Sequence, residues 1–172
     1  FAAFRPGPGV GGHCIPIDPN YLSHQVRTLG YQFRFVELAQ EISNRMPAYV
    51  VARVQETLNE VSKPMRGSTV LVLGLTYKPD IADDRETPAT AVISNLRRLG
   101  TRVVAHDPFL GGFTVDGEPV EMSADLAADL AACDLALVLQ HHSAYDLDAI
   151  AGAAPLVFDT RGTMRHENAS RL

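Results

Sequence analysis

The sequence contains no tryptophan and only two cysteines, Cys14 and Cys133, in 172 residues. Two thiols cannot build the disulfide framework of a small secreted scaffold, which points to a reducing, cytoplasmic setting. Positive charge is in deficit, with 15 Lys and Arg against 20 Asp and Glu and no basic run. The chain therefore carries no electrostatic footprint for nucleic acid or for an anionic membrane surface. No apolar stretch approaches the ~20 residues of a membrane span, and no signal-peptide pattern opens the chain. The histidines, His13, His24, His106, His141, His142 and His166, show no metal-ligand spacing with a cysteine or an acid, so no metal site is expected. With 46% hydrophobic residues, the chain can bury a core without staples.

The organisation changes near residue 67. The opening, FAAFRPGPGVGG, is a dense glycine-proline loop with no initiator methionine. It reads as the later part of a longer protein. Asp18 followed by Pro19 has the form of a capping acid and a proline at the first helical position, predicting a helix that ends at Gly30. A long apolar-periodic stretch from Val36 to about Val61 follows, with Pro47 predicting a kink or a junction of two helices. Its apolar face suits a second domain or subunit. From Ser68 the period shortens. TVLVLGL (69–75), RVVAHDP (102–108), LALVLQ (135–140) and PLVFDT (155–160) read as buried strands, with helices near 87–100, 123–132 and 146–151 between them. The stretch from Gly111 to Met122 reads as a hairpin insertion, and the tail beyond Arg161 has no periodicity. The fold class expected is α/β: a long central helix followed by a doubly wound, Rossmann-like parallel sheet with helices on both faces. Residues 1–66 form the first part and 67–172 the second.

Ligands of such a sheet bind at the carboxyl ends of its strands. Asp107 stands where a dinucleotide fold places its ribose acid, yet GLTYKPD after the first strand lacks G-x-G-x-x-G. Asp107 is better explained as a strand-end residue turning the chain before Pro108. The same loop offers Lys78 and Arg85 among Asp80, Asp83, Asp84 and Glu86, and Arg161 follows the fourth strand in FDTRG. These cations either meet an anionic ligand such as a phosphate or pair with the neighbouring acids. Cys14 lies in GPGVGGHCIPIDP, just before the predicted helix, where the helix terminus favours a thiolate and glycine N–H groups suit an oxyanion. That context supports a nucleophile, with Asp18 close enough to orient a water or accept a proton. The alternative is an inert packed cysteine, which is how Cys133 reads in AACDLALVL. His13 either positions a ligand or is structural.

These motifs resemble the UDP-glucose/GDP-mannose dehydrogenase family. GPGVGGHCIPIDPNYL resembles its catalytic-cysteine motif, in the histidine-containing form of the branch acting on UDP-N-acetylglucosamine or UDP-N-acetylmannosamine. EISNRMPAYV resembles its central dimerisation helix, LGLTYKPDIADDRETPA its sugar-nucleotide loop and VFDTRG its last substrate-contacting turn. By position, the resemblance makes Cys14 the nucleophile and Asp18 the acid that serves the water or proton steps. Arg5, Gly7, Pro8, Gly9 and Gly11 match the loop that holds the sugar nucleotide. Tyr77, Lys78 and Arg161 match substrate contacts, while Cys14 and Arg85 face the cofactor. Ile17 stands where the glucose-type motif has lysine, which favours the N-acetylhexosamine branch. The implied activity is NAD-dependent oxidation of the sugar's primary alcohol to a uronic acid, through a Cys14 thiohemiacetal and thioester. NAD would be bound mainly by the family's amino-terminal domain, which this sequence does not include. The implied partners are a UDP-sugar and a second copy, in a homodimer through the central helices. The alternatives are a module that binds UDP-sugars and dimerises without turnover, a purely structural dimer module, and a UDP-glucose 6-dehydrogenase.

Overall fold

A computed structural model describes residues 5–172. Two helices come first, α1 (Cys14–Thr28) and α2 (Arg34–Glu60). The sheet strands β1 (Thr69–Leu73) and β2 (Arg102–His106) are joined through α3 (Pro88–Arg98). A short antiparallel pair follows, β3 (Thr114–Val115) with β4 (Glu118–Pro119), and then β5 (Glu121–Met122). The chain continues through α4 (Leu126–Ala132), β6 (Leu135–Val138), α5 (Leu147–Ala153), β7 (Val157–Asp159) and β8 (Ala169–Arg171).

The main sheet has six strands in the order β5-β2-β1-β6-β7-β8, all pairs parallel. The chain starts at the centre, runs outward through β2 to β5, then returns to β6 and runs outward the other way. The reversal falls between β1 and β6. Alternation along β1 explains the layering, because successive side chains point to opposite faces. Val70 and Val72 join Leu135, Leu137 and Phe158 on one face, under Val50, Val54 and Leu58 of α2 and Val92, Ile93 and Leu96 of α3. Leu71 and Leu73 join Ala136, Val138 and Val157 on the other, under Leu130 of α4 and Ile150 of α5.

Four details depart from the sequence expectations. First, α1 begins at Cys14, has no side-chain cap and carries Pro19 inside it, so Asp18 is not its cap. Pro16 falls in the first turn, where a missing N–H has no partner to lose. Second, of the two outcomes expected at Pro47 a junction of two helices is not formed, since α2 runs through it as one helix. Proline there removes only the bond to the Ser43 carbonyl, and burial of Val50, Val54 and Leu58 on the sheet carries the helix past it. Third, the tail supplies β8, held by Asp159, whose buried carboxylate accepts from the backbone N–H of Arg161 at 2.8 Å, Thr163 at 2.6 Å and Met164 at 2.8 Å. Fourth, β5 adds a strand beyond β2. The expected hairpin is present, turning at Asp116 and Gly117, both at positive φ.

The two halves of α2 differ. Its carboxyl half is core, whereas Phe35 is 85% exposed and Leu38 and Ile42 also face solvent, beside exposed Tyr21 and Leu22 of α1. The Glu37 carboxylate ties the helices together, accepting from Ser23 Oγ at 3.0 Å and pairing with Arg27. Leu58→Ala is expected to lower the unfolding free energy by about 2–5 kcal/mol, read from urea denaturation, because Leu58 is fully buried between α2 and the sheet.

Candidate active site

The glycine loop ahead of α1 lies directly on the loop that follows β1. Gly12 donates its N–H to the Arg85 carbonyl at 3.1 Å. Its φ is +84°, and a Cβ there would stand 2.7 Å from the Tyr77 ring. At Gly11 a Cβ would stand 2.5 Å from Tyr77 Cβ and 2.8 Å from the Glu86 carbonyl oxygen. Only backbone without side chains fits this approach. The contact seats exposed Cys14, the first residue of α1, at the rim of a cavity of about 440 Å³.

Arg5, Gly9, Gly11, Cys14, Tyr77, Lys78, Arg85 and Arg161 line that cavity, together with Val10, Gly12, His13 and Ile15. Gly7 lies behind Arg161, where a Cβ would meet Nη1 at 2.8 Å. Pro8 is buried and does not line the cavity. Nor does Asp18, an exposed residue one helical turn beyond Cys14. The three cations read from two strand ends, Lys78, Arg85 and Arg161, do share one crevice.

Their electrostatic situations differ. Arg85 makes a two-pronged pair with Asp83, Nε to Oδ1 at 2.9 Å and Nη2 to Oδ2 at 2.6 Å. That guanidinium holds the Asp83 carboxyl down at about 2, and the carboxylate in turn raises Arg85. Arg161 is half-buried and gives its Nε–H to the Leu139 carbonyl at 2.8 Å. Burial pulls Arg161 below the usual arginine range, against the opposing charge of Asp159. Among the described residues no carboxylate forms an ion pair with Arg5, Lys78 or Arg161. Arg5, Lys78 and Arg161 line one cavity with no ion-pair partner among the described residues, and an exposed thiol stands at its edge, an arrangement suited to an anionic ligand.

The sheet offers no dinucleotide cradle at the reversal between β1 and β6. Gly74 ends β1 at φ +80°, and its Cβ position lies 2.4 Å from the Gln140 carbonyl oxygen. The next helix, α3, starts at Pro88, capped by Thr87 Oγ1 accepting from Ala89 N at 3.3 Å. The space at the strand ends is filled by Asp107, read from the sequence as a turn residue, and by His142, to which sequence reasoning gave no role. Asp107 is buried and accepts from Leu75 N at 2.6 Å and Thr76 N at 3.2 Å, so it does more than turn the chain. Buried His142 stands 3.1 Å from it. The only local signal was an acid and a histidine at the ends of two separate strands.

The second thiol is of another kind. Cys133 is buried, gives its S–H to the Leu130 carbonyl at 3.3 Å and is pushed up to about 11 by burial. Iodoacetamide at pH 8 is therefore expected to label one thiol per folded chain, and none in Cys14→Ser, as counted by intact mass. Labelling at Cys133 in the folded chain would contradict the burial assigned to it.

Two family descriptions match the sequence. The UDP-binding domain of the UDP-glucose/GDP-mannose dehydrogenase family covers residues 71–166, and its central domain covers residues 1–45. The chain is 33% identical to the UDP-N-acetyl-D-mannosamine dehydrogenase of Methanococcus maripaludis, across 94% of this chain and 37% of that one. It is 32% identical to the UDP-glucose 6-dehydrogenase of Bacillus subtilis, across 78% of this chain and 29% of the relative. Among solved structures, the UDP-N-acetyl-mannosamine dehydrogenase of Staphylococcus aureus superposes with a TM-score of 0.68 at 30% identity, covering 98% of this chain and 38% of that one. The chain thus spans 29–38% of the length of these relatives. The match of the UDP-binding domain extends from the middle of β1 past Arg161, through the loops that line the cavity, and the chain belongs to the UDP-glucose/GDP-mannose dehydrogenase family.

Proposed function

We propose that this chain is the sugar-nucleotide-binding and thiol-bearing part of an NAD-dependent UDP-N-acetylhexosamine 6-dehydrogenase. The observation that carries the proposal is the cavity lined by Arg5, Lys78 and Arg161, which form no ion pair among the described residues, with an exposed cysteine on the first turn of a helix at its rim. The UDP diphosphate supplies the missing negative charge, and the sugar then lies toward Cys14. Tyr77, packed on Gly11 and Gly12, forms the wall between them. The residues Gly7, Pro8 and Gly9 shape the loop behind. We further assign residues 1–66 to the thiol loop and central helices and 67–172 to the UDP-sugar domain.

Cys14 performs the covalent half of the reaction. Its sulfur bonds to the carbon of the aldehyde formed from the primary alcohol, and the carbonyl oxygen takes a proton to give a thiohemiacetal. Loss of hydride from that carbon and of the proton from its hydroxyl leaves a thioester, and water then breaks the C–S bond, releasing the carboxylate and returning the thiol. The Gly12 N–H is committed to Arg85, so the oxyanion donors here are the free N–H groups of the first turn of α1. Asp18, one turn along, serves the water and proton steps. NAD, when bound, would supply the hydride acceptor, one molecule for each of the two oxidations. This sheet lacks its pyrophosphate cradle, so Arg85 is the chain's contribution toward it.

Ile17 supports the N-acetylhexosamine branch over UDP-glucose. A cytoplasmic location agrees with two unpaired cysteines. The exposed apolar face of Phe35, Leu38 and Ile42 supports a homodimer through α2. The missing cradle favours a second reading, in which this chain binds UDP-sugars without turning them over.

Calorimetric titration with UDP, with NAD titrated in parallel, tests the site. UDP is expected to bind without appreciable NAD binding. Lys78→Ala should weaken UDP about tenfold or more, since it removes a charge-assisted contact to phosphate. Unchanged affinity would remove Lys78 from the site, and no UDP binding in the wild type would overturn both readings. A turnover assay with UDP-N-acetylmannosamine and NAD, run with the family's NAD-binding domain present, separates them. Turnover that is lost in Cys14→Ser, with UDP affinity kept, supports the dehydrogenase, whereas UDP binding with no turnover supports the binding module.

A further inference from the structure

The loop that presents Tyr77 and Lys78 is strained. Asp80 at φ +60° and Glu86 at φ +51° are non-glycine residues in the left-handed region. Such conformations persist only where the surroundings over-determine them. At Asp80 two contacts do so: its backbone N–H donates to His142 Nδ1 at 3.0 Å, and its Oδ1 accepts from Ser143 N at 2.7 Å.

His142 is fully buried, and its hydrogen bonds assign its proton. An N–H aimed at Nδ1 requires a lone pair there, so the ring is neutral and protonated at Nε2. Nε2 faces Asp107 Oδ2 at 3.1 Å and Thr76 Oγ1 at 3.3 Å. Thr76 gives its own hydroxyl proton to the Lys78 carbonyl at 2.9 Å. Asp107 cannot turn away, because its oxygens also accept from Leu75 N, Thr76 N and, at 2.8 Å, Phe109 N. Gln140 Nε2 donates to the Tyr77 carbonyl at 3.0 Å. The backbone around Lys78 is thus held at the Tyr77 carbonyl, the Lys78 carbonyl and the Asp80 N–H. The side chains that hold it are Gln140, Thr76 and His142, and none of them lines the cavity.

We infer that His142 is a positioning residue for the anion site: a neutral imidazole, its tautomer set by Asp107, that fixes loop 76–80 so that Tyr77 and Lys78 face Arg161 and Cys14. This rests on the proposed UDP site and acts on it from behind. The ligand it serves is the diphosphate of the proposed site, because the loop it fixes carries Lys78, whose carbonyl it reaches through Thr76. Losing the imidazole would strand the Asp80 N–H, whereas Asp107 Oδ2 would keep its bonds from Leu75 N and Thr76 N, so the cost falls on the loop.

The test is a double-mutant cycle on UDP affinity in the full chain, with melting temperature recorded for each variant. His142→Phe, which keeps volume and removes both hydrogen bonds, is expected to weaken UDP about tenfold. His142→Asn, whose amide oxygen replaces Nδ1 as acceptor, should recover most of that loss. Combined with Lys78→Ala, His142→Phe should cost little more than Lys78→Ala alone, because its effect passes through Lys78. A folded His142→Phe that binds UDP like the wild type, or losses that add in full, would overturn the inference. Should His142→Phe not fold, 15N spectra of the wild-type imidazole decide. The Nε2–H form with a bonded Asp80 amide supports the inference, and a protonated or Nδ1–H ring refutes it. If the wild type binds no UDP, the ligand reading fails, and protection of the Asp80 amide from exchange in wild type and His142→Asn, lost in His142→Phe, decides the positioning role independently.

Discussion

Cys14 reaches the anion cavity because the backbone at Gly11 and Gly12 lies flat against Tyr77. The closeness of that approach is the constraint on which the site depends. Gly12 is a joint: its N–H is fixed on the Arg85 carbonyl, the aromatic ring blocks one side, and its φ of +84° turns the chain straight into α1. A methyl group at either position would push the loop off the ring and carry Cys14 away from Lys78 and Arg161. The ring is itself held from below, since the Tyr77 carbonyl is bonded to Gln140. Thiol, ring and cation are therefore placed by one stack of contacts, which begins at the ends of the central strands and ends at the first turn of a helix.

Much of this was legible locally. The run TVLVL in β1 announces a strand buried on both faces because its branched apolar residues leave no polar side. Thr87 and Pro88 announce the start of α3, and Asp116 with Gly117 announces the hairpin turn. Cys14, Lys78, Arg85 and Arg161 stood out by chemistry, and they share a cavity. What was not legible depends on partners distant in sequence. Strands β5 and β8 have two and three residues, too few to show a period, and exist because β2 and β7 offer them an edge. Pro47 signals a missing hydrogen bond, but the packing that outweighs it lies in the sheet. His142 has no local signature beyond its place after a strand, because its link to Asp107 appears only once the strand order β2-β1-β6 places those strand ends side by side.

That order also explains why this sheet does not use its reversal point in the usual way. In open parallel sheets the ligand crevice lies outside the strand ends where the strand order reverses. Here that position, above β1 and β6, is occupied by Thr76, Asp107, Gln140 and His142, four buried polar residues bonded to one another or to the loops around them. A filled crevice cannot take a pyrophosphate, but it makes a stiff floor. The cations project from the loops above it: Lys78 after β1, Arg161 after β7 and Arg5 from the chain ahead of α1. Each comes from a different stretch of chain, so the positive potential of the cavity exists only when all three stretches are in place. An anion bound among them gains from each and draws them together, which links ligand binding to the seating of the glycine loop and hence to the position of the thiol.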